Sequence, residues 1–289
     1  MSPDAVAETE TAPVLDLIQP TVCGEFVFAS PHSGRDLPDD FGHVSGLAEI
    51  HLRSAEDGWV DQIVDPGPAL GIPLLSGRIS RSYVDLNRAA DELDPDLIVD
   101  CPLSSSNARI TAGFGVVARV TGDGLPLYDR KLTMAEVQAR LDRVHAPYHA
   151  VLSRLMHQAR DHNGRATLVD WHSMPARAAG ERVSTRGHRI AGVDVVLGDR
   201  HATSCRTGLT RKLKTLFEAQ GLRVAVNRPY AGGYSTVRWG RPDDGFHAIQ
   251  IELNRGLYMD ETRLEPSAEF DRCKAILDRV ISGLLASKA

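Results

Sequence analysis

Short apolar runs alternate along this chain with longer stretches of helical spacing. Residues 26–29 (Phe-Val-Phe-Ala), 71–75, 166–169, 193–197, 222–226 and 248–253 are apolar runs of strand length bounded by turn formers. Between them, Leu47, Ile50, Val60 and Ile63 predict a helix over 47–64. Val137, Leu141, Val144, Tyr148, Leu152 and Leu155 predict a longer one over 132–161, kinked at Pro147 and stopped at Asn163-Gly164. Further helices are expected over 207–220, ending at Gly221, and over 268–285. Strand and helix thus alternate, the pattern of helices packed on both faces of one sheet, so the expected fold class is α/β with three layers. The first 13 residues are acidic, rich in Ala and Thr and aperiodic, and read as a disordered tail. With no internal repeat and no low-complexity linker, residues 14–289 read as a single domain.

Composition narrows the function classes. An apolar share of 42% and a charged share of 25% are ordinary for a soluble globular protein. The net charge of -5, with positive residues scattered, gives no electrostatic case for nucleic acid or an anionic membrane. No apolar run reaches membrane-spanning length, and the N-terminus lacks the basic and apolar regions of a signal peptide, so a cytoplasmic protein is expected. Cys23, Cys101, Cys205 and Cys273 are widely spaced, without the paired spacing of a zinc ribbon or a disulfide framework.

The candidate chemistry lies at strand ends. The run from Leu168 ends in Asp170-Trp171-His172-Ser173, and the run from Phe26 ends in Pro31-His32-Ser33-Gly34. In open α/β sheets ligands bind outside the carboxyl ends of the strands, so two histidines delivered there suit a metal. A catalytic zinc takes three protein ligands, and acids complete such sets. Glu56, Asp57 and Asp61 follow the His32 loop, with Asp57 and Asp61 at helical i, i+4 spacing. Glu252, inside the apolar run 248–253, needs either a partner such as Arg255 or the job of moving a proton beside a metal. Arg81, Arg88, Asn227, Gly232, Gly233 and Arg238 together suggest a receptor for a small anionic substrate, through guanidinium forks and a close backbone approach at Gly-Gly. His145, His149, His157 and His162 cluster on the polar side of the long helix and read as a solvated face rather than a second metal site.

Pro31-His32-Ser33-Gly34, Asp57 with Val60-Asp61, Val84-Asp85-Leu86-Asn87-Arg88, Asp170-Trp171-His172-Ser173, Gly232-Gly233-Tyr234 and Glu252 with Leu257-Tyr258-Met259-Asp260 occur in this order. In these motifs the chain resembles the N-formylglutamate amidohydrolase family, within a wider zinc-carboxypeptidase-like group built on a mixed sheet between helical layers. The resemblance implies one zinc ion held by His32, Asp57 and His172, with Glu252 as general base. It also implies Arg81, Arg88, Asn227 and Arg238 as candidates for binding the substrate carboxylates; as a cation beside the metal, Arg88 is further expected to hold the oxyanion, and Asn87, Gly232 and Gly233 to contact the substrate. The implied reaction is amide hydrolysis of a small acidic N-acyl amino acid, foremost N-formyl-L-glutamate late in histidine breakdown. The chain departs from the wider group at Arg35, where a carboxypeptidase-type His-x-x-Glu would have its acid. A related deacylase or peptidase with another acyl group, or a catalytically silent acid-binding protein, are the competing readings.

Overall fold

The computed structural model describes the chain apart from residues 1–7, 13, 103–106, 179, 181, 184–188, 191 and 287–289. In chain order the strands are β1 (Glu8–Ala12), β2 (Leu15–Gln19), β3 (Phe26–Ser30), β4 (Leu74–Gly77), β5 (Ala166–Met174), β6 (Arg182–Val183), β7 (Arg189–Ile190), β8 (Val195–Gly198), β9 (Val224–Val226), β10 (Phe246–Asn254), β11 (Met259–Asp260) and β12 (Glu265–Pro266). The helices are α1 (Glu49–Leu52), α2 (Val60–Ile63), α3 (Pro66–Ala69), α4 (Ala108–Thr111), α5 (Met134–Arg140), α6 (Ala146–Asn163), α7 (Thr207–Ala219), α8 (Tyr234–Trp239) and α9 (Phe270–Leu285).

Eight strands form one mixed sheet in the order β1-β2-β4-β3-β5-β10-β8-β9. Its centre, β4-β3-β5-β10, is parallel, while β2 and β8 join antiparallel on either flank. The central strands are buried on both faces, alternate residues meeting opposite helical layers. In β3, Val27 and Ala29 pack with Val137, Val144, Tyr148 and Leu152 of the α5–α6 layer. Phe26 and Phe28 point the other way, into a second core with Phe217 of α7 and Leu277 and Ile281 of α9. The three expected layers are present.

Several boundaries differ from the sequence reading. Glu8–Ala12 pairs antiparallel with β2, so the tail expected through residue 13 is, over this stretch, an edge strand. β5 does not stop at Val169 but runs on to Met174, buried throughout, because β10 pairs with it over its whole length. The helix expected over 132–161 is α5 and α6 joined by a π-helical turn, Leu141–His145. Pro147 falls in the first turn of α6, directly after the π-helical turn. A Thr133–Glu136 capping box starts α5, and Gly164 in the left-handed conformation ends α6. The helix expected over 47–64 is broken into α1 and α2, with Trp59 at a φ of 69° in the break.

This topology makes a switch point. From β3 the chain passes through α1–α3 to β4 on one side, then returns through α4–α6 to β5 on the other. The carboxyl ends of β3 and β5 therefore border a crevice where ligands bind in such sheets.

His145 and His149 are not a solvated face. Their Nε2–H groups donate to the carbonyls of Arg88 (2.9 Å) and Leu86 (3.0 Å), pinning the 85–88 segment to the helical layer. Burial, reinforced by the neighbouring His145, takes the His149 pKa from an ordinary 6.5 down to about 3. A depressed histidine is neutral in the folded protein, while the unfolded chain takes up a proton once the pH falls below 6.5. The stability it supports is therefore intact above pH 6.5 and lost as pH falls toward 3, by about 1.4 kcal/mol per pH unit. We expect His149→Gln to lower stability at pH 8 yet flatten this acid limb, as read from denaturant midpoints between pH 8 and 4. An unchanged slope would remove His149 from the account.

Candidate active site

Three side chains from separate segments meet at the crevice. His32 follows β3 by two residues, Asp57 lies in the break between α1 and α2, and His172 stands on β5. The Asp57 N–H donates to the His32 carbonyl at 2.9 Å, which fixes the two loops to each other. The helix breaks at this point because Asp57 is turned inward, so the i, i+4 relation expected for Asp57 and Asp61 does not arise. His172 Nδ1 lies 3.1 Å from His32 Nδ1 and 3.0 Å from Asp57 Oδ2, and His32 Nδ1 lies 3.4 Å from the same oxygen.

The far nitrogen of each ring is already committed. His32 Nε2 lies 2.7 Å from Asp85 Oδ1, and His172 Nε2 lies 2.9 Å from Asp170 Oδ2. With the proton of each ring on Nε2, where its carboxylate accepts it, both Nδ1 lone pairs would be free for an ion beside the Asp57 oxygen. The two imidazole nitrogens and one carboxylate oxygen, each ring held by a second carboxylate, suit a divalent transition metal. Among the described residues, His32, Asp57 and His172 are a potential metal-binding triad.

The electrostatics follow from burial. Burial raises the Asp57 pKa, but hydrogen bonds from His172 and His32 win and hold it well below the carboxylate range. Arg255 Nη2 and Ser173 Oγ occupy its other oxygen at 3.2 and 3.1 Å. Burial also opposes ionisation of Asp85, and the charges of Arg81, His32 and Arg88 overcome it. Glu252 differs: burial and the Asp57 charge outweigh His172 and Gln250, and its pKa is pushed up to about 8. It stands beside His172 across the β5–β10 ladder, and Gln250 Nε2 donates to its Oε1 at 2.6 Å. Glu252 is not paired to Arg255, whose guanidinium goes to Asp57, Ser173 and the Ser54 carbonyl.

The triad and Glu252 open on a cavity of about 290 Å³, at the small end for a ligand pocket. Arg81, Asn87, Arg88 and Gly233 border it, as do Arg109, Arg255 and Tyr230. Arg81 bonds Asp85 Oδ2 at 2.6 Å. Arg88 is tied by its Nε to the Phe114 carbonyl and by Nη1 to that of Asn87. Asn87 Nδ2 lies 3.1 Å from His172 Nε2, and its Oδ1 accepts from the Ser235 N–H at 2.9 Å. Gly233 gives its N–H to Gln250 Oε1.

Three expected substrate contacts are not among the cavity-lining residues. Asn227 bonds Asp199 instead, at 2.7 and 3.0 Å, Gly232 packs against Thr236, and Arg238 is exposed beside the Trp239 ring. Arg35, where the carboxypeptidase-type acid would stand, stacks on Trp59 at 3.7 Å. Asp170, Gln250 and Arg255 were missed. The strand period offered a signal for the first two, since Asp170 lies two residues before His172 and Gln250 two before Glu252, so each pair shares a face.

With this geometry in view, comparison with known proteins places the chain among amidohydrolases. A family model for N-formylglutamate amidohydrolase matches residues 24–259. The chain belongs to that family. It is 30% identical to N-formylglutamate deformylase of Pseudomonas aeruginosa over 241 residues, 81% of this chain and 82% of that protein. It is 29% identical to N-formylglutamate deformylase of Pseudomonas putida over 242 residues, 82% of each. The crystal structure of N-formylglutamate amidohydrolase from Ralstonia eutropha JMP134 superposes with a TM-score of 0.86 at 33% identity, covering 93% of this chain and 96% of that one.

A Cβ on Gly233 would lie 2.5 Å from Asn87 Nδ2. We expect Gly233→Ala to leave the fold within about 1 kcal/mol while displacing Asn87 from His172 and cutting kcat at least tenfold. Thermal unfolding beside steady-state kinetics checks this, and unchanged kcat would show that Asn87 does no work at this position.

Proposed function

We propose that this protein is a zinc-dependent hydrolase that cleaves the amide of a small acidic N-acyl amino acid. N-formyl-L-glutamate is the leading substrate, yielding formate and L-glutamate in a cytoplasmic step of histidine breakdown. The observation that carries the reading is the convergence of the His32 and His172 Nδ1 atoms, Asp57 Oδ2 and Glu252 on one small cavity bordered by guanidinium groups. The chain's family and its likeness to named N-formylglutamate deformylases support the choice of substrate.

The residues divide the work. His32, Asp57 and His172 hold the ion, which when bound supplies Lewis acidity toward a water nucleophile and the acyl oxygen. Glu252 takes a proton from the attacking water and passes it to the departing nitrogen. Its raised pKa suits a group that must both accept and return a proton near neutrality. Gln250 orients that carboxylate through Oε1. Arg88, tethered at two of its nitrogens, turns its remaining donors to the developing oxyanion. Arg81 keeps Asp85 ionised, so that His32 presents its Nδ1 lone pair to the ion.

Two outcomes are expected. Glu252→Gln retains the metal, measured by elemental analysis, and loses about 10²- to 10⁴-fold in kcat for formate release; near-normal turnover would refute the proton-transfer role. Asp170→Asn weakens metal binding about 10- to 100-fold in a chelator competition. Unaltered affinity in that variant would mean the Asp170–His172 bond does not support the metal.

A further inference from the structure

The cavity holds a guanidinium that the proposed mechanism does not use. Arg109 borders the cavity from α4, where the Asn107 side chain caps the helix by accepting from the Arg109 and Ile110 N–H groups. Arg81, Arg88 and Arg255 each spend donors on carbonyls or carboxylates of the protein. The Arg109 guanidinium makes no hydrogen bond or ion pair with any described residue, and its side chain is exposed at the mouth. It nonetheless lies near enough to Arg88 for the two charges to repel, and this adds to burial in lowering the Arg88 pKa. Arg88 has Glu92 Oε2 at 3.9 Å as a counter-charge, so it is the Arg109 guanidinium that is left to favour an anion at the cavity. Phe114, Ala118 and Val120 line the same cavity and give an apolar wall of the kind that methylene groups require.

From this arrangement we infer that Arg109 is the specificity-determining receptor for the carboxylate at the far end of the substrate side chain, with Phe114, Ala118 and Val120 packing the methylenes that lead to it. The inference rests on the amide-hydrolase reading for its kinetic consequence but not for its binding consequence. It selects a dicarboxylate over the monocarboxylate that lacks the far carboxyl group, because only the former gives the Arg109 guanidinium a partner.

The test compares the unsubstituted protein with Arg109→Gln in two measurements. Calorimetry reads the binding of glutarate and of butyrate, and kinetics compares N-formylglutamate with N-formylglutamine. A charge-assisted hydrogen bond of this kind corresponds to about 10- to 100-fold. Arg109→Gln should weaken glutarate binding by that factor and leave butyrate within twofold. The kcat/KM for N-formylglutamate should fall equally, through KM, while that for N-formylglutamine is unchanged. Equal losses on both ligands, no loss on either, or no glutarate binding by the unsubstituted protein would overturn the assignment. Glutarate binding that depends on Arg109, in a protein that releases no formate, would instead sustain this receptor and sink the hydrolase reading.

Discussion

The structure depends on keeping four carboxylates, Asp57, Asp85, Asp170 and Glu252, ionisable inside a buried crevice. Each is at most 6% exposed, and an unpaired carboxylate at that depth is costly enough that it would protonate instead. The chain meets the cost locally. Asp57 lies against two imidazoles and Arg255, Asp85 against His32 and Arg81, and Asp170 against His172. Glu252 has the neutral Gln250 amide as its partner, and its pKa is raised toward neutrality, whereas those of Asp57 and Asp85 are held low. Environment thus separates Glu252 from Asp57 and Asp85, although all three share one residue chemistry.

The charge balance points the same way. Asp57, Asp85 and Asp170 face three guanidiniums, Arg81, Arg88 and Arg255, while Glu252, with its pKa pushed up to about 8, adds little negative charge near neutrality. A divalent ion at the triad would therefore leave the cavity net positive and attractive to an anion. The arginines therefore have two uses. Those bonded to Asp57 and Asp85 make burial of the acids tolerable, while donors left over are available to a ligand.

Much of this was legible in the sequence, for reasons that can be named. Apolar runs such as Phe26–Ser30 must be buried on both faces, so strand positions and the three layers follow from periodicity. His32 and His172 were visible because a polar residue directly after such a run is anomalous. Asp57 was found by its closeness to His32 in the chain, while its helical spacing to Asp61 misled, because the helix is broken between Leu52 and Val60. Asn227, Gly232 and Arg238 could not be separated from true lining residues, because a guanidinium or glycine in a loop looks the same whether it faces a cavity or Asp199. Glu8–Ala12 was illegible for a different reason: its ladder with β2 is a backbone interaction, to which side-chain pattern is nearly blind.

The site also divides by stiffness. His172 and Glu252 stand opposite each other on β5 and β10, the two central strands, where a nine-residue parallel ladder fixes their separation. His32, Asp57 and Asp85 come from connections, and each is fixed by bonds reaching outside its own segment. The Asp57 N–H bonds the His32 carbonyl, and the carbonyls of Leu86 and Arg88, flanking Asn87, are bonded by His149 and His145 from the helical layer. The sheet itself thus holds His172 and Glu252, while His32 and Asp57 depend on hydrogen bonds between segments, so a constellation that must be held to about half an ångström draws on both kinds of restraint.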